Sequence, residues 1–338
     1  MKAVVLVGGE GTRMRPLTET VPKPLLPLVD RPFLAHVLDR LAQHGVDEAI
    51  LSSPYLEEVF DPFLETRGDR PPRVLWITEP KPLGTAGAIA NALGHLDEAF
   101  LVLNGDILTD LDLTALVAFH RERGSVATIA VAPVDDARPY GLVEVDDAGR
   151  VAAFREKPAD PIPGTVNMGT YVLEPVALRG VSTTRSVSIE TEVFPALVES
   201  RVPVYGHASD AYWKDLGTPD RYLRATFDAL EGRIEGLAYE APFLGEGVRV
   251  AAGASIAPRA VVGAHAIVGE GATVADSVVF GGATVEAGAE VRGSIVGHAV
   301  HVGEGAEVVD SVLAEGAVVP PGARAHAERV PPFTVLET

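Results

Sequence analysis

Glycines 8, 9 and 11, followed by Arg13, Arg15 and Lys23, carry the densest chemistry in this sequence. Residues 3–7, AVVLV, are a short apolar run ended by Gly8 and Gly9, which reads as a buried strand running into a glycine turn. Gly8, Gly9 and Gly11 let the backbone approach a ligand closely and take positive φ. Successive free N–H groups in such a turn form a concave anion site. The cations follow at once, in a chain whose net charge is −19. A local cation cluster after a strand–glycine loop points to phosphates. Neither common phosphate loop fits. No Lys-[Ser/Thr] follows Gly11 at P-loop spacing, and Gly9-Glu10-Gly11 runs on into Thr12-Arg13-Met14 without the third glycine of a dinucleotide fingerprint. Only five of the 28 basic residues are lysine, and Lys23, Lys81 and Lys157 each precede proline. Arginine is the generic cation here, so these lysines mark places where a compact ammonium on a flexible stem is wanted.

The string over 8–27, GGEGTRMRPLTETVPKPLLP, closely resembles the signature of sugar-1-phosphate nucleotidyltransferases, the nucleotide-sugar pyrophosphorylases. The resemblance implies that Gly8, Gly9, Gly11 and Thr12 cradle a triphosphate, that Arg13 meets the departing pyrophosphate, and that Lys23 meets the phosphates near the α-phosphorus. It makes Arg13 and Lys23 the catalytic pair. It also implies that Leu6, Glu79, Gly84 and Thr85 complete the nucleotide side, with EPKPLGTAGA over 79–88 as the base-reading loop. Glu156-Lys157-Pro158 resembles the family's EKP motif, in which the lysine pairs with the sugar phosphate and the glutamate accepts from sugar hydroxyls. Gly141 and Asn167 match further sugar-side positions of the family. Asp106, at a strand end, and Asp215, in WKDLGTP, match the family's two ligands of a Mg²⁺ ion, which commonly takes one or two carboxylates plus phosphates. No general base is needed in such a reaction, because the attacking phosphate oxygen is already ionised.

The elements that must position these residues change character along the chain. Leu34, Val37, Leu38 and Leu41 form one helical stripe ended by Gly45. Strands at 48–52, 74–78 and 99–103 alternate with helices at 86–93, opened by Thr85, and 113–123. Such alternation gives a Rossmann-like, doubly wound sheet whose ligands sit beyond the carboxyl ends of its strands. From about residue 140 a hairpin over 143–154, a strand over 165–173, a helix around 190–199 and a strand over 202–207 make the sheet mixed. Thr218 caps and Pro219 starts a further helix.

Beyond residue 243 the sequence repeats. Leu244, Val250, Ile256, Val262, Val268 and Val274 are spaced by six. The register then steps by five to Val279, and again to Val296 and to Leu313; Ser277, Ser294 and Ser311 recur at one place in each coil. Three hexads make one triangular coil, so this part is a parallel β-helix, and its resemblance to hexapeptide-repeat proteins implies a left-handed one. The expected domains are 1–232 catalytic, 233–243 linker, 244–320 β-helix and 321–338 tail.

The 338 residues suit two domains. With no cysteine there is no disulfide framework and no thiolate metal site. The acidic balance, 47 Asp+Glu against 28 Lys+Arg, speaks against nucleic acid. No apolar run approaches the ~18 residues of a membrane span, so a cytoplasmic protein is expected, self-associating through its β-helix. LGTAGAI over 83–89 and SIETEVFP over 188–195, the latter with Thr191 where the familiar form has Lys, look most like mannose-1-phosphate guanylyltransferases. A glucose-1-phosphate thymidylyltransferase or another nucleotide-sugar pyrophosphorylase is the nearest alternative. An acyltransferase using His265, His298, His301 or His326, and a non-catalytic regulatory subunit, are the others.

Overall fold

The computed structural model describes residues 1–54 and 57–337; Thr338, the last residue of the expected tail, lies outside the described residues. The chain packs as two compact units. One holds residues 1–9 and 34–213, the other residues 10–33 and those from 214 on.

In the first unit, Lys2–Leu6 lies between Phe100–Asn104 and Glu48–Ser53, with Arg73–Thr78 beyond the latter, all parallel. Ala3, Val4, Val5, Ile50 and Val102 are fully buried, as expected of parallel strands covered on both faces. The long strand Gly164–Leu173 runs antiparallel to Phe100–Asn104 and to Ala127–Val134. The hairpin Gly141–Val145 with Val151–Glu156 and the strand Val204–Ala208 complete a mixed sheet. The helix Phe33–Gln43 turns Leu34, Leu38 and Leu41 into the core, and Gly45 ends it at φ 73°.

Two local expectations need correction. The Ala-rich helix runs Gly84–Asn91 and is not capped by Thr85. Val187 O accepts from Ala86 N at 2.9 Å and Gly87 N at 3.3 Å, so a neighbouring strand of chain satisfies the helix N-terminus. The segment around 190–199 is not one helix: a π turn, Ile189–Val193, precedes the α-helix Phe194–Glu199. Pro195 sits in the first turn of that α-helix, where no N–H is required.

In the second unit, three parallel sheets form the faces of the β-helix. Leu244, Val262, Val279, Val296, Leu313 and Val330 stack in register on one face. Val250, Val268, Val285, Val302 and Val319 stack on the second, and Ile256, Val274, Val291, Val308 and Ala325 on the third. These are the residues of the hexad register, and the arrangement is consistent with the left-handed β-helix that the resemblance to hexapeptide-repeat proteins implies. Coil strands run on through Arg324–His326 and Arg329–Val330, residues the spacing assigned to the tail. The five-residue steps have a visible cause. Asp276, Gly293, Asp310 and Ala327 take positive φ at one corner of successive coils, turning it with one residue fewer. Ser277, Ser294 and Ser311 follow that corner, buried, and each Oγ accepts the N–H of the residue 17 positions on, at 3.0 Å. Among the described residues no helix is long and apolar enough to cross a membrane.

Candidate active site

In the first unit, residues expected on the nucleotide side lie at the carboxyl ends of the parallel strands. Leu6 stands in register with Ser52 on one side and Asn104 on the other. Gly105 N donates to Leu6 O at 2.9 Å, which holds the turn carrying Asp106 against the end of the first strand. A Cβ on Gly8 would come within 3.0 Å of Pro54, so only glycine allows that close approach. Gly9 is exposed, with open space around it.

Glu79 follows the strand Arg73–Thr78 and is 5% exposed. Its Oε1 accepts from Ser52 Oγ at 3.2 Å and its Oε2 from Leu83 N at 2.9 Å. The loop after this strand is thus wound around its own carboxylate. Burial raises the Glu79 pKa, and the two donors oppose that rise. Gly84 takes φ 71°, and a Cβ there would press on Val187 O.

The residues expected on the sugar side lie in the same unit. Gly141 pairs with Glu156 across the hairpin, and a Cβ on Gly141 would come within 3.0 Å of the Glu156 carboxylate. Lys157 takes φ 45°, unusual for a residue with a Cβ. Its N–H donates to Tyr140 O at 3.0 Å, and its exposed Nζ lies 3.3 Å from Glu156 Oε1. Asn167 is buried, donates to Tyr171 OH at 2.8 Å and accepts from Gly169 N at 2.8 Å.

The second unit holds the cations. Gly11 adopts φ 61°, and the short 3₁₀ turn Thr12–Met14 comes next, with Met14 in the core and Thr12 and Arg13 exposed. Asp215 gathers three cations: Arg13 Nη2 at 3.8 Å, Lys23 Nζ at 3.9 Å and Arg221 Nη1 at 2.5 Å. Gly217 makes this possible, since a Cβ there would come within 3.0 Å of both Arg13 Nη2 and Asp215 Oδ1. Thr218 caps the helix Pro219–Leu230 through Arg221 N, and that helix directs Arg221 at Asp215. Behind it, Lys214 Nζ pairs with Asp228 on the same helix at 2.5 Å.

In comparison with known sequences, the family model described as "Nucleotidyl transferase" matches residues 2–232. The chain belongs to the nucleotidyl transferase family. A second profile, "GMPPB C-terminal domain", matches residues 239–338. The chain is similar to the mannose-1-phosphate guanylyltransferase of Mycobacterium tuberculosis, at 41% identity over 232 residues, covering 68% of this chain and 65% of that protein. It is similar to the mannose-1-phosphate guanylyltransferase catalytic subunit beta of Danio rerio, at 37% over 228 residues, covering 66% and 63%. A UTP–glucose-1-phosphate uridylyltransferase of Synechocystis is 32% identical over 272 residues, covering 75% and 70%. The chain thus spans just under two thirds of the length of the two guanylyltransferases. Among solved structures, HddC from Yersinia pseudotuberculosis superposes with a TM-score of 0.59 at 30% identity, covering 67% of this chain and 97% of HddC; its complex with GMP-PN gives 0.58 at 29%.

Tyr171 and Arg221 stand in none of the strings that resemble family motifs, yet they contact Asn167 and Asp215. Tyr171 is a fully buried tyrosine bonded to Asn167, marked in the sequence only by its place four residues after it. Arg221 lies six residues after Asp215, and the Thr218 cap fixes the start of the helix that aims it.

Proposed function

We propose that this nucleotidyl transferase joins a nucleoside triphosphate to a sugar-1-phosphate, and that its pair is GTP and mannose-1-phosphate. The clustering of Arg13, Lys23 and Arg221 about Asp215 is the observation that carries the reaction class. Three cations held by one carboxylate are preorganised for a polyphosphate, whose charge can replace that of Asp215. A sugar-phosphate oxygen attacks the α-phosphorus; the new P–O bond forms as the α–β bridging bond breaks, and pyrophosphate leaves with the electron pair. Lys157 holds the incoming phosphate, Glu156 accepts from sugar hydroxyls, Lys23 neutralises charge near the α-phosphorus and Arg13 that on the leaving group. The names of the Mycobacterium and Danio relatives and the GMP-PN complex of HddC support the guanine–mannose pair. The Synechocystis relative favours the second reading, a uridine or thymidine nucleotide with glucose-1-phosphate.

The family generally uses a divalent metal. Each unit offers a suitable oxygen: in the first, Asn104 Oδ1, two residues before Asp106, and in the second, Asp215 Oδ1, are buried and accept no hydrogen bond from described residues. Asp106 and Asp215 would hold Mg²⁺, which when bound neutralises charge on the nucleotide phosphates. A cytoplasmic location and a homo-oligomer formed through the β-helix belong to the same proposal.

Lys157→Ala tests the sugar side. Loss of a charge-assisted contact worth roughly 1.5–3 kcal/mol should raise the sugar-phosphate KM. Nucleotide binding by calorimetry should stay within about twofold, a change of well under 1.4 kcal/mol. Unchanged sugar-phosphate kinetics would reduce the motif to a hairpin end.

A further inference from the structure

Glu190 is the carboxylate that this reaction scheme leaves without a task. It stands in the π turn Ile189–Val193, which packs against the helix Gly84–Asn91 and against the strand Val151–Glu156. The turn therefore touches both the helix that extends the base-side loop and the strand that ends in Glu156. Turns of this type are rare and concentrate at functional sites.

One oxygen of Glu190 is pinned. Oε2 accepts from Thr85 Oγ1 at 2.7 Å and from Ser188 Oγ at 2.8 Å. Thr85 Oγ1 in turn accepts from Ile189 N at 2.8 Å, closing a small ring of bonds. The other oxygen, Oε1, receives no hydrogen bond from any described residue. Glu190 is half-buried, so that oxygen is within reach of a ligand. A carboxylate anchored on one side and free on the other is an acceptor whose orientation costs little to fix on binding.

Its surroundings are those of the sugar side. Phe194, immediately after the π turn, packs on Tyr171 with ring centroids 5.1 Å apart and on Phe154 at 5.3 Å. The Tyr171 hydroxyl receives the Asn167 hydrogen bond. Burial pushes the Tyr171 phenol well up, and the charges of Glu190, Glu156 and Asp106 push it the same way. Asn167 thus bonds this hydroxyl directly, and Glu190, in the segment that carries Phe194, belongs to the same packed group. Glu156 and Asn167 already have sugar-side roles; Glu190 completes the set from the opposite segment.

We infer that Glu190 reads a sugar hydroxyl through Oε1, with Thr85 and Ser188 holding it in place, and so helps determine which sugar-1-phosphate is accepted. The inference rests on the reaction class proposed above. A site built to accept from a hydroxyl discriminates sharply against an analogue lacking it, because the charged acceptor is then left unpaired.

The test is Glu190→Gln in the full chain, with monodeoxy and epimeric sugar-1-phosphates as substrates. Gln keeps the shape, and its carbonyl oxygen can still take the Thr85 and Ser188 bonds while its amide turns the free acceptor into a donor. The sugar-phosphate KM should rise about tenfold, with kcat and the nucleotide KM within about twofold. One monodeoxy analogue should be used equally by variant and wild type, which names the hydroxyl. Ser188→Ala, which removes only one anchor, should move the same KM in the same direction by less, so the inference stays testable if the first variant folds poorly. An unchanged sugar KM, or a loss equal across all analogues and matched by the nucleotide KM, would overturn it. No pyrophosphate from the wild type with any sugar phosphate would remove both readings; an active wild type with an indifferent variant would remove this one alone.

Discussion

Gly217 illustrates how one absent side chain sets the charge pattern of a site. A methyl group there would meet the tips of Arg13 and Asp215, both of which can swing aside. Gly217→Ala should therefore keep its fold, with stability changed by less than about 1 kcal/mol, while kcat falls about tenfold or more as Arg13 is displaced. Wild-type kcat in this variant, measured as pyrophosphate release, would show that Arg13 has no part in the reaction. Arg13, Lys23, Asp106, Lys157 and Asp215 stand out in the sequence because each lies in a string that resembles a family motif. Arg221 and Tyr171 do not. An arginine in the first turn of a helix has the composition of any solvent-facing residue until the helix is aimed at Asp215. The two bonds on Glu79 are equally invisible, because Ser52 comes from another strand and Leu83 donates through its backbone.

At the scale of elements, periodicity carries most of the fold. The period-six valines give the β-helix, and the stripe of Leu34, Leu38 and Leu41 gives the first helix, because burial acts on the same positions that set the spacing. What spacing cannot give is the reason for the five-residue steps. The recurrence of Ser277, Ser294 and Ser311 is plain in the sequence, but their bonds join residues one coil apart. Ser294 Oγ donates to Arg292 O at 2.7 Å and accepts from Ser311 N at 3.0 Å, both at a buried corner. Ser294→Ala leaves both groups without that partner and should destabilise the β-helix by about 1–3 kcal/mol. Ser255→Ala, at an exposed strand position of the first coil, should change little. Calorimetric melting with the two variants superimposed would deny the ladder any energetic role. The helix expected around 190–199 is interrupted locally: its first turn, Ile189–Val193, takes the wider π form, with Ser188 Oγ accepting from Thr191 N at 3.2 Å.

At the scale of the molecule, chain order misleads. Composition and repeat both break near residue 240, yet residues 10–33 pack with the C-terminal part of the chain. Tyr222 OH donates to Pro27 O, Tyr239 OH to Asp30 Oδ1 at 2.9 Å, and Arg329 to Arg15 O. Contacts across 195, 209 and 314 residues leave no local trace in a sequence. The first coil leaves its inward-facing Leu244 and Val250 47% and 42% exposed, whereas Val262 and Val268 one coil on are fully buried. An open apolar cross-section with strand edges invites a second copy. Light scattering at micromolar concentration should give at least a dimer, and Leu244→Glu with Val250→Glu should lower it; a wild-type monomer would contradict this. The central claim is the reaction itself. Its most direct test is pyrophosphate release from each of GTP, ATP, UTP, CTP and dTTP with mannose-, glucose- or N-acetylglucosamine-1-phosphate, with and without a chelator. GTP with mannose-1-phosphate should exceed every other pair by at least about tenfold in kcat/KM, with activity abolished by the chelator and restored by Mg²⁺. No pyrophosphate from any pair would contradict the account, and equal or better turnover of another pair would contradict its choice of substrates.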